Sequence, residues 1–327
     1  MTVLSPALGR AYFLLQAVAG AVWWAAVATV PAVREATLGG VPPLPMAVLD
    51  VPLFVLTSAL VAAGRRRAVH VLVPWILLIT LVTVVYATVT GRAGWGAVLM
   101  IASATASIGA AGLVLHGRLP GTALLKGPLG FRLAPAASTR TLLFATAAQI
   151  VVFWSLFLLV IPVPIALLEQ RWGVHLALPA LLRVLGAVAI VPASALGLWS
   201  AVTMTRLGEG TPLPAAMPHR LVVAGPYRWV RNPMAVAGIS QGVGVGLALS
   251  SWAVVAYSVA GGLIWHLVVR PEEEADLAAR FGADHSRYRA AVRTWLPRLR
   301  PVPGSAAGAV TRDRPEPTGP TVQAASG

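Results

Sequence analysis

Residues 69–89 read Val69-His70-Val71-Leu72-Val73-Pro74-Trp75-Ile76-Leu77-Leu78-Ile79-Thr80-Leu81-Val82-Thr83-Val84-Val85-Tyr86-Ala87-Thr88-Val89, with no Asp, Glu, Lys or Arg among them. About 20 apolar residues in α-helical form cross the hydrocarbon core of a bilayer. A helix also satisfies its own backbone polar groups there, so the stretch reads as a membrane span. Similar stretches run roughly from 11 to 32, 46 to 63, 94 to 116, 141 to 168, 176 to 205, 234 to 250 and 252 to 269. The expected fold class is therefore all-α: a polytopic transmembrane helical protein of about eight spans. The last two spans form a C-terminal helical hairpin turning at Leu249-Ser250-Ser251-Trp252, with arms so short that they only just cross or bend within the protein.

The composition agrees: 57% of the 327 residues are hydrophobic and 11% charged, which excludes an ordinary water-soluble globule. The formal charge of +14 is spread in short runs between apolar segments rather than gathered on one soluble face, which argues against nucleic acid as a partner. Cysteine is absent, so disulfides, thiolate ligands and a cysteine nucleophile are excluded. His70, His116, His175 and His266 fall near span ends without paired spacing, and no metal is implied. The first apolar stretch is too long for a signal-peptide core and is kept as a span.

Orientation follows from the basic residues, because positive short loops stay in the cytosol. With both termini inside, the cytosolic segments hold Arg10, Arg65 to Arg67, Arg118, Lys126, Arg132, Arg140, Arg206, Arg220, Arg228, Arg231 and the C-terminal arginines, leaving Arg34, Arg92 and Arg171 outside. We expect a multi-pass protein of the cell (inner) membrane. Gly and Pro recur between Leu119 and Ser138, dividing an N-terminal four-helix membrane region (1–140) from a membrane core (141–300). Residues 301–327, rich in Pro, Gly and Ser, read as a disordered cytosolic tail.

Three intramembrane features are weighed as packing or topology first. Arg183 is placed to snorkel, and Asp50, just before Pro52, to sit near the outer end of its helix. Gly238, Gly242 and Gly246 recur every four residues and let a neighbouring helix approach closely.

Chemistry concentrates in two segments flanking the hairpin. The first runs from His219-Arg220-Leu221-Val222 through Gly225-Pro226-Tyr227-Arg228 to Arg231-Asn232-Pro233-Met234-Ala235. Pro233 suits the first turn of a helix, whose free amides, with Arg228 and Arg231, are suited to a carboxylate or phosphate. The second, Arg270-Pro271-Glu272-Glu273-Glu274-Ala275-Asp276, concentrates acids in a chain that has 11 in total, and carboxylates there are suited to an ammonium or a ribose hydroxyl. Each segment also has a plainer reading, as a topology anchor and as an acidic first helical turn. The hairpin brings both to one membrane face, where together they match a zwitterion.

In family order and spacing, His219-x-Leu221-Val222, Gly225-x-Tyr227, Arg231-x-Pro233, Glu273-Glu274, Phe281-Gly282, Tyr288 and Leu296-Pro297 resemble the isoprenylcysteine carboxyl methyltransferase and phospholipid methyltransferase superfamily of integral membrane enzymes. The resemblance covers roughly residues 176 to 300. It implies a cytosolic S-adenosylmethionine pocket formed by His219, Arg220, Leu221, Val222, Tyr227, Arg231, Asn232, Pro233, Met234, Ala235, Glu273 and Glu274. By the same resemblance Arg270 lies near the family's substrate-contacting arginine. The chain departs from the family at Asn232 and Ala235, where Arg-His-Pro-x-Tyr is commoner, and at His285, where Tyr is commoner.

The expected activity is methyl transfer from S-adenosylmethionine to a lipid-like or amphiphilic acceptor arriving from the bilayer, with membrane lipids as surroundings. A carboxylate acceptor needs no base; an amine or thiol does, and the sequence names none. Phospholipid N-methylation and small-thiol S-methylation are alternatives within the class, and a non-enzymatic transporter or scaffold is the alternative outside it. The Ala-, Val- and Arg-rich composition is that of a high-GC bacterial chain and points away from a eukaryotic CaaX protein as acceptor.

Overall fold

The computed structural model describes residues 4–120, 132–212 and 216–304. Lys126 and residues 305–327, nearly all of the expected disordered tail, lie outside the described residues. The chain is all-helical, with a single isolated bridge between Leu133 and Met217 among the described residues. We label the helices α1 (Pro6–Thr29), α2 (Pro31–Leu38), α3 (Pro43–Ala62), α4 (Val69–Thr90), α5 (Gly94–His116), α6 (Thr139–Arg171), α7 (Ala180–Gly208), α8 (Pro233–Ala248), α9 (Trp252–Ile264) and α10 (Arg270–Ala291).

All eight expected spans are helical, and among the described residues seven helical stretches, the last running from α9 on into α10 (Trp252–Ala291), are long and apolar enough to cross a membrane. The protein is thus a multi-pass membrane protein. The exception is α8, whose 16 residues extend only about 24 Å, short of the roughly 30 Å hydrocarbon core. Large apolar side chains such as Leu15, Leu81, Phe144, Val151 and Val191 are exposed, as lipid-facing surfaces require.

Local chemistry sets the helix ends. Ser5 accepts a hydrogen bond from the Leu8 amide and precedes Pro6, so α1 starts earlier than the apolar run; Pro31 then ends it at Thr29 and opens α2. Three helices contain π turns beside prolines: Val51–Leu56 holds Pro52, Leu156–Val160 precedes Pro162, and Trp265–Val269 precedes Pro271. Proline withholds an amide and crowds the preceding turn, so the wider turn relieves the mismatch. The third π turn carries α9 directly into α10, the polar extension beyond the span.

Helices α1 to α5 pack together around Phe13, Val61, Leu72, Ile76 and Val114. Inside this group Gln16 accepts from Tyr12 Oη (2.5 Å) and Ser107 Oγ (2.8 Å) and donates to Ser58 Oγ (3.0 Å). Asp50 lies mid-helix rather than at an outer end. It is buried and accepts from the indoles of Trp24 (2.9 Å) and Trp75 (2.8 Å), which makes it a satisfied structural carboxylate. Arg183 is exposed in the first turn of α7, in keeping with snorkelling.

The N-terminal group meets the rest at the end of the bundle where α8 turns into α9. There Arg171 Nε donates to Thr88 O (2.8 Å), Trp172 Nε1 to Thr88 Oγ1 (3.0 Å), and the Trp95 and Trp252 rings stack at 5.8 Å. Glu169, fully buried, accepts from Ser251 Oγ and from the Ala253 amide (3.1 Å), holding the hairpin turn against α6. At the opposite end, which we call the His219 end, Arg10 Nε donates to Ala62 O (2.9 Å).

Helices α7 and α8 cross at contact distance. A Cβ on Gly186 would lie 2.4 Å from Leu247 Cβ and 2.8 Å from Gly244 O. Of the four-residue glycine series, Gly242 and Gly246 pack on Ser258 and Val255 of α9, whereas Gly238 faces open space.

Candidate active site

At the His219 end the loop after α7 folds back over its terminus. The amides of His219 (2.7 Å) and Arg220 (3.2 Å) both donate to Gly208 O, and His219 Nε2 lies 2.8 Å from Ala134 O. The loop then makes a short 3₁₀ turn, Gly225–Arg228, and enters α8 at Asn232. Three backbone bonds sew it to the C-terminal segment: Arg231 N to Arg293 O (2.8 Å), Arg298 N to Trp229 O (2.9 Å) and Val302 N to Arg228 O (3.1 Å). Tyr288 Oη adds a bond to Tyr227 O (2.8 Å). The two motif segments, about 40 residues apart in sequence, thus become one surface.

That surface and helices α6, α8 and α9 enclose a cavity of about 760 Å³. Of the residues singled out in the sequence, Arg220, Leu221, Val222, Tyr227, Arg231, Asn232, Met234, Ala235, Arg270, Glu273 and Glu274 line it; His219 and Pro233 do not. His219 instead ties the loop to Ala134, and Pro233 is the buried first residue of α8.

The walls differ in character. Deep in the span region Phe153, Trp154 and Phe157 of α6 face Tyr257, Gly261 and Trp265 of the α9 arm across Gly238 and Ile239. No local feature of the sequence marks the α6 contribution, because those aromatics lie in an unbroken apolar run and only tertiary packing selects them. Neither Gly238 nor Gly261 has an atom within 4 Å of where a Cβ would project, so both leave space open.

The polar wall separates spent groups from free ones. Glu274 is spent: its carboxylate meets Arg231 Nη2 (2.9 Å), Arg270 Nη1 (3.1 Å) and Arg289 Nε (3.8 Å). Arg231 also donates to Thr294 Oγ1 and Arg289 O, and Arg228 Nε donates to Val302 O (2.7 Å). The basic lip inferred from Arg228 and Arg231 is therefore largely an internal clamp. Burial pulls the Arg231 guanidinium somewhat below its ordinary range, opposed by Glu274. Asn232 Oδ1 accepts from the Ala235 amide (3.0 Å), capping a helix terminus that the sequence offered as free donors. Asn232→Ala should cost about 1 kcal/mol in thermal or denaturant unfolding, and Asn232→Asp should restore it.

Along this cavity one carboxylate and three single polar atoms remain without partners among the described residues. Glu273 has no hydrogen bond or ion pair among the described residues, and its carboxyl is pushed up to about 7, chiefly by burial and secondly by Glu274 and Asp276. Tyr227 Oη, Arg231 Nε and His285 Nε2 are buried polar atoms without a hydrogen-bond partner. Burial raises the Tyr227 hydroxyl well above its ordinary value, so it is a donor at neutral pH. Native proteins pair nearly all such atoms, so exceptions on residues that line one cavity single this wall out as a candidate site.

A multi-span helical protein thus holds a part-polar, part-aromatic cavity at one end of its bundle. Residues 181–284, from α7 into α10 and about a third of the chain, match the sequence profile of the phospholipid methyltransferase family, one of the integral membrane methyltransferases. The match supports a membrane methyltransferase. No curated protein and no solved structure matches the chain. The matched segment supplies most of the cavity wall; the α6 aromatics, His285 and Tyr288 lie outside it.

Proposed function

We propose that the protein transfers a methyl group from S-adenosylmethionine to a lipid-like or amphiphilic acceptor, with the His219 end facing the cytosol and the acceptor entering from the bilayer. The observation that carries this reading is the union, in one cavity, of an unpartnered acidic and hydroxyl wall with an aromatic wall built from membrane spans. Its volume, about 760 Å³, falls in the range of small-molecule sites and suits a cofactor together with an acceptor head.

The residues present fit the cofactor. Glu273 offers a free carboxylate to an ammonium, Tyr227 Oη a donor to a carboxylate or hydroxyl, and Leu221, Val222 and Met234 apolar surface to a purine. When bound, S-adenosylmethionine supplies a methyl group already activated on a sulfonium. The protein's work is then to orient and to exclude water. Arg231, Arg270 and Glu274 fix the polar wall through their mutual ion pairs, and the Phe153, Trp154 and Trp265 rings keep the acceptor's apolar part dry. Both a carboxylate and a phospholipid amine head are compatible with this division, and the family match favours the phospholipid side.

Labelled-methyl transfer into a total lipid and metabolite extract tests the proposal. A labelled amphiphile formed by the unaltered protein and not by Tyr227→Ala supports it; a carrier or scaffold yields no label.

A further inference from the structure

Methylating an amine or a thiol requires a group that takes away the acceptor's proton, whereas methylating a carboxylate does not. Most ionisable groups along the cavity are committed. Glu274 is held by three arginines, Tyr288 Oη donates to Tyr227 O, and Glu273 is needed for the cofactor's ammonium in the function proposed above. The Tyr227 hydroxyl holds its proton too firmly to serve. His285 differs from all of these.

The helix turns at Gly282, whose φ of +46° is left-handed, so α10 breaks and its second half returns against the cavity. This places His285 in the wall at 1% exposure, with an Nε2 that no group satisfies. Apolar side chains would fill that position at no cost, whereas a buried imidazole nitrogen without a partner costs stability.

We propose that His285 Nε2 accepts the proton of the methyl acceptor, which makes the preferred acceptor a protic nucleophile, an amine or a thiol on an apolar chain, rather than a carboxylate. This inference rests on the methyltransferase reading. As the acceptor nitrogen or sulfur gives its proton to Nε2, its lone pair forms the bond to the incoming methyl carbon. The broken carbon–sulfur bond leaves its electrons on the departing thioether. The imidazolium then returns the proton to water at the cavity mouth.

The surroundings suit the role. Burial lowers the proton affinity of His285 from its ordinary 6.5, opposed by Glu274 from α10 and reinforced by Arg231 from the motif loop and Arg289 from α10. Tyr227, Tyr288 and Glu273 complete the polar wall and stay neutral or anionic near pH 7. The imidazole is thus neutral and receptive at neutral pH, and the rate at saturating S-adenosylmethionine should fall only in acid, on the far side of the ordinary imidazole range.

The test uses the full chain in lipid nanodiscs with three acceptors sharing one tail: dodecylamine, dodecanethiol and dodecanoate. The expected result is transfer to the amine or the thiol and none to dodecanoate. His285→Asn and His285→Gln should lower the rate at saturating S-adenosylmethionine about 100-fold and abolish its acidic fall-off, while S-adenosylmethionine binding, whose own rise through pH 7 is set by Glu273, is unchanged. Independently of turnover, the imidazole resonance missing from both variants should shift when the preferred amine or thiol is added to protein saturated with S-adenosylhomocysteine. Transfer to dodecanoate alone, transfer to none of the three with cofactor binding intact, or a full rate and unchanged pH profile in both variants overturns the role of His285 and leaves the methyltransferase reading standing. Failure of the unaltered protein to bind S-adenosylmethionine overturns both.

Discussion

Glu273→Gln will make the ligand-free protein more stable above pH 7 and at the same time weaken S-adenosylmethionine binding about 100-fold. In the folded chain the Glu273 carboxyl is pushed up to about 7 from an ordinary 4.5, because burial and then the neighbouring Glu274 and Asp276 disfavour its charge. An acid raised in this way favours the fold fully below the unfolded value. Stability is then lost as pH rises from 4.5 through about 7, where the native state must carry an unpaired anion. Glutamine has no charge to desolvate, so the variant should gain on the order of 2 kcal/mol at pH 8 and nothing at pH 4. Denaturant unfolding at the two pH values measures this. Binding moves the opposite way: the ammonium needs the ionised carboxylate, so affinity in the unaltered protein should rise through pH 7, and the variant should bind about 100-fold more weakly, or about 2.7 kcal/mol. A residue kept for packing would lose stability on substitution; one kept for a ligand is relieved by it.

The second large effect separates the scaffold from the cavity. Gly186→Leu places a Cβ 2.4 Å from Leu247 Cβ and 2.8 Å from Gly244 O, so α7 and α8 have to move apart. Backbone atoms cannot yield as a flexible side chain does, and the loss should be about 3 kcal/mol or more in unfolding assays. Both helices carry the motif loop between them, so binding should fail along with the fold. Gly238→Leu is the contrast. No atom lies within 4 Å of its Cβ position, so the leucine grows into the cavity, leaving unfolding unchanged while ligand binding falls. Equal instability of the two variants would mean that the cavity is closed in the membrane.

The spans were legible because bilayer burial writes itself into uninterrupted sequence. Ser5 with Pro6, and Pro31, also encoded the true limits of α1, but a hydropathy reading passes over caps. Asp50 was misplaced because hydropathy cannot show that Trp24 and Trp75 bring it two indole donors from other helices. At the site, the adjacency of residues 219–235 and 270–274 was legible from the hairpin that joins them. Which charges stay free was not. Sequence weighs Glu273 and Glu274 alike, yet one helix position turns Glu274 into three arginines and Glu273 toward the cavity. Asn232 stands where the family more often has His, and only the structure shows that its side-chain carbonyl is used as a helix cap. Phe153, Trp154 and Phe157 carried no local mark, since a span's lipid face and its cavity face share one composition.

Equilibrium binding of labelled S-adenosylmethionine to the purified, unaltered protein in nanodiscs at pH 8 decides whether this cavity holds the cofactor. We predict saturable binding to one site per chain that S-adenosylhomocysteine displaces; no saturable binding, or binding that survives Glu273→Gln undiminished, would rule the cofactor site out.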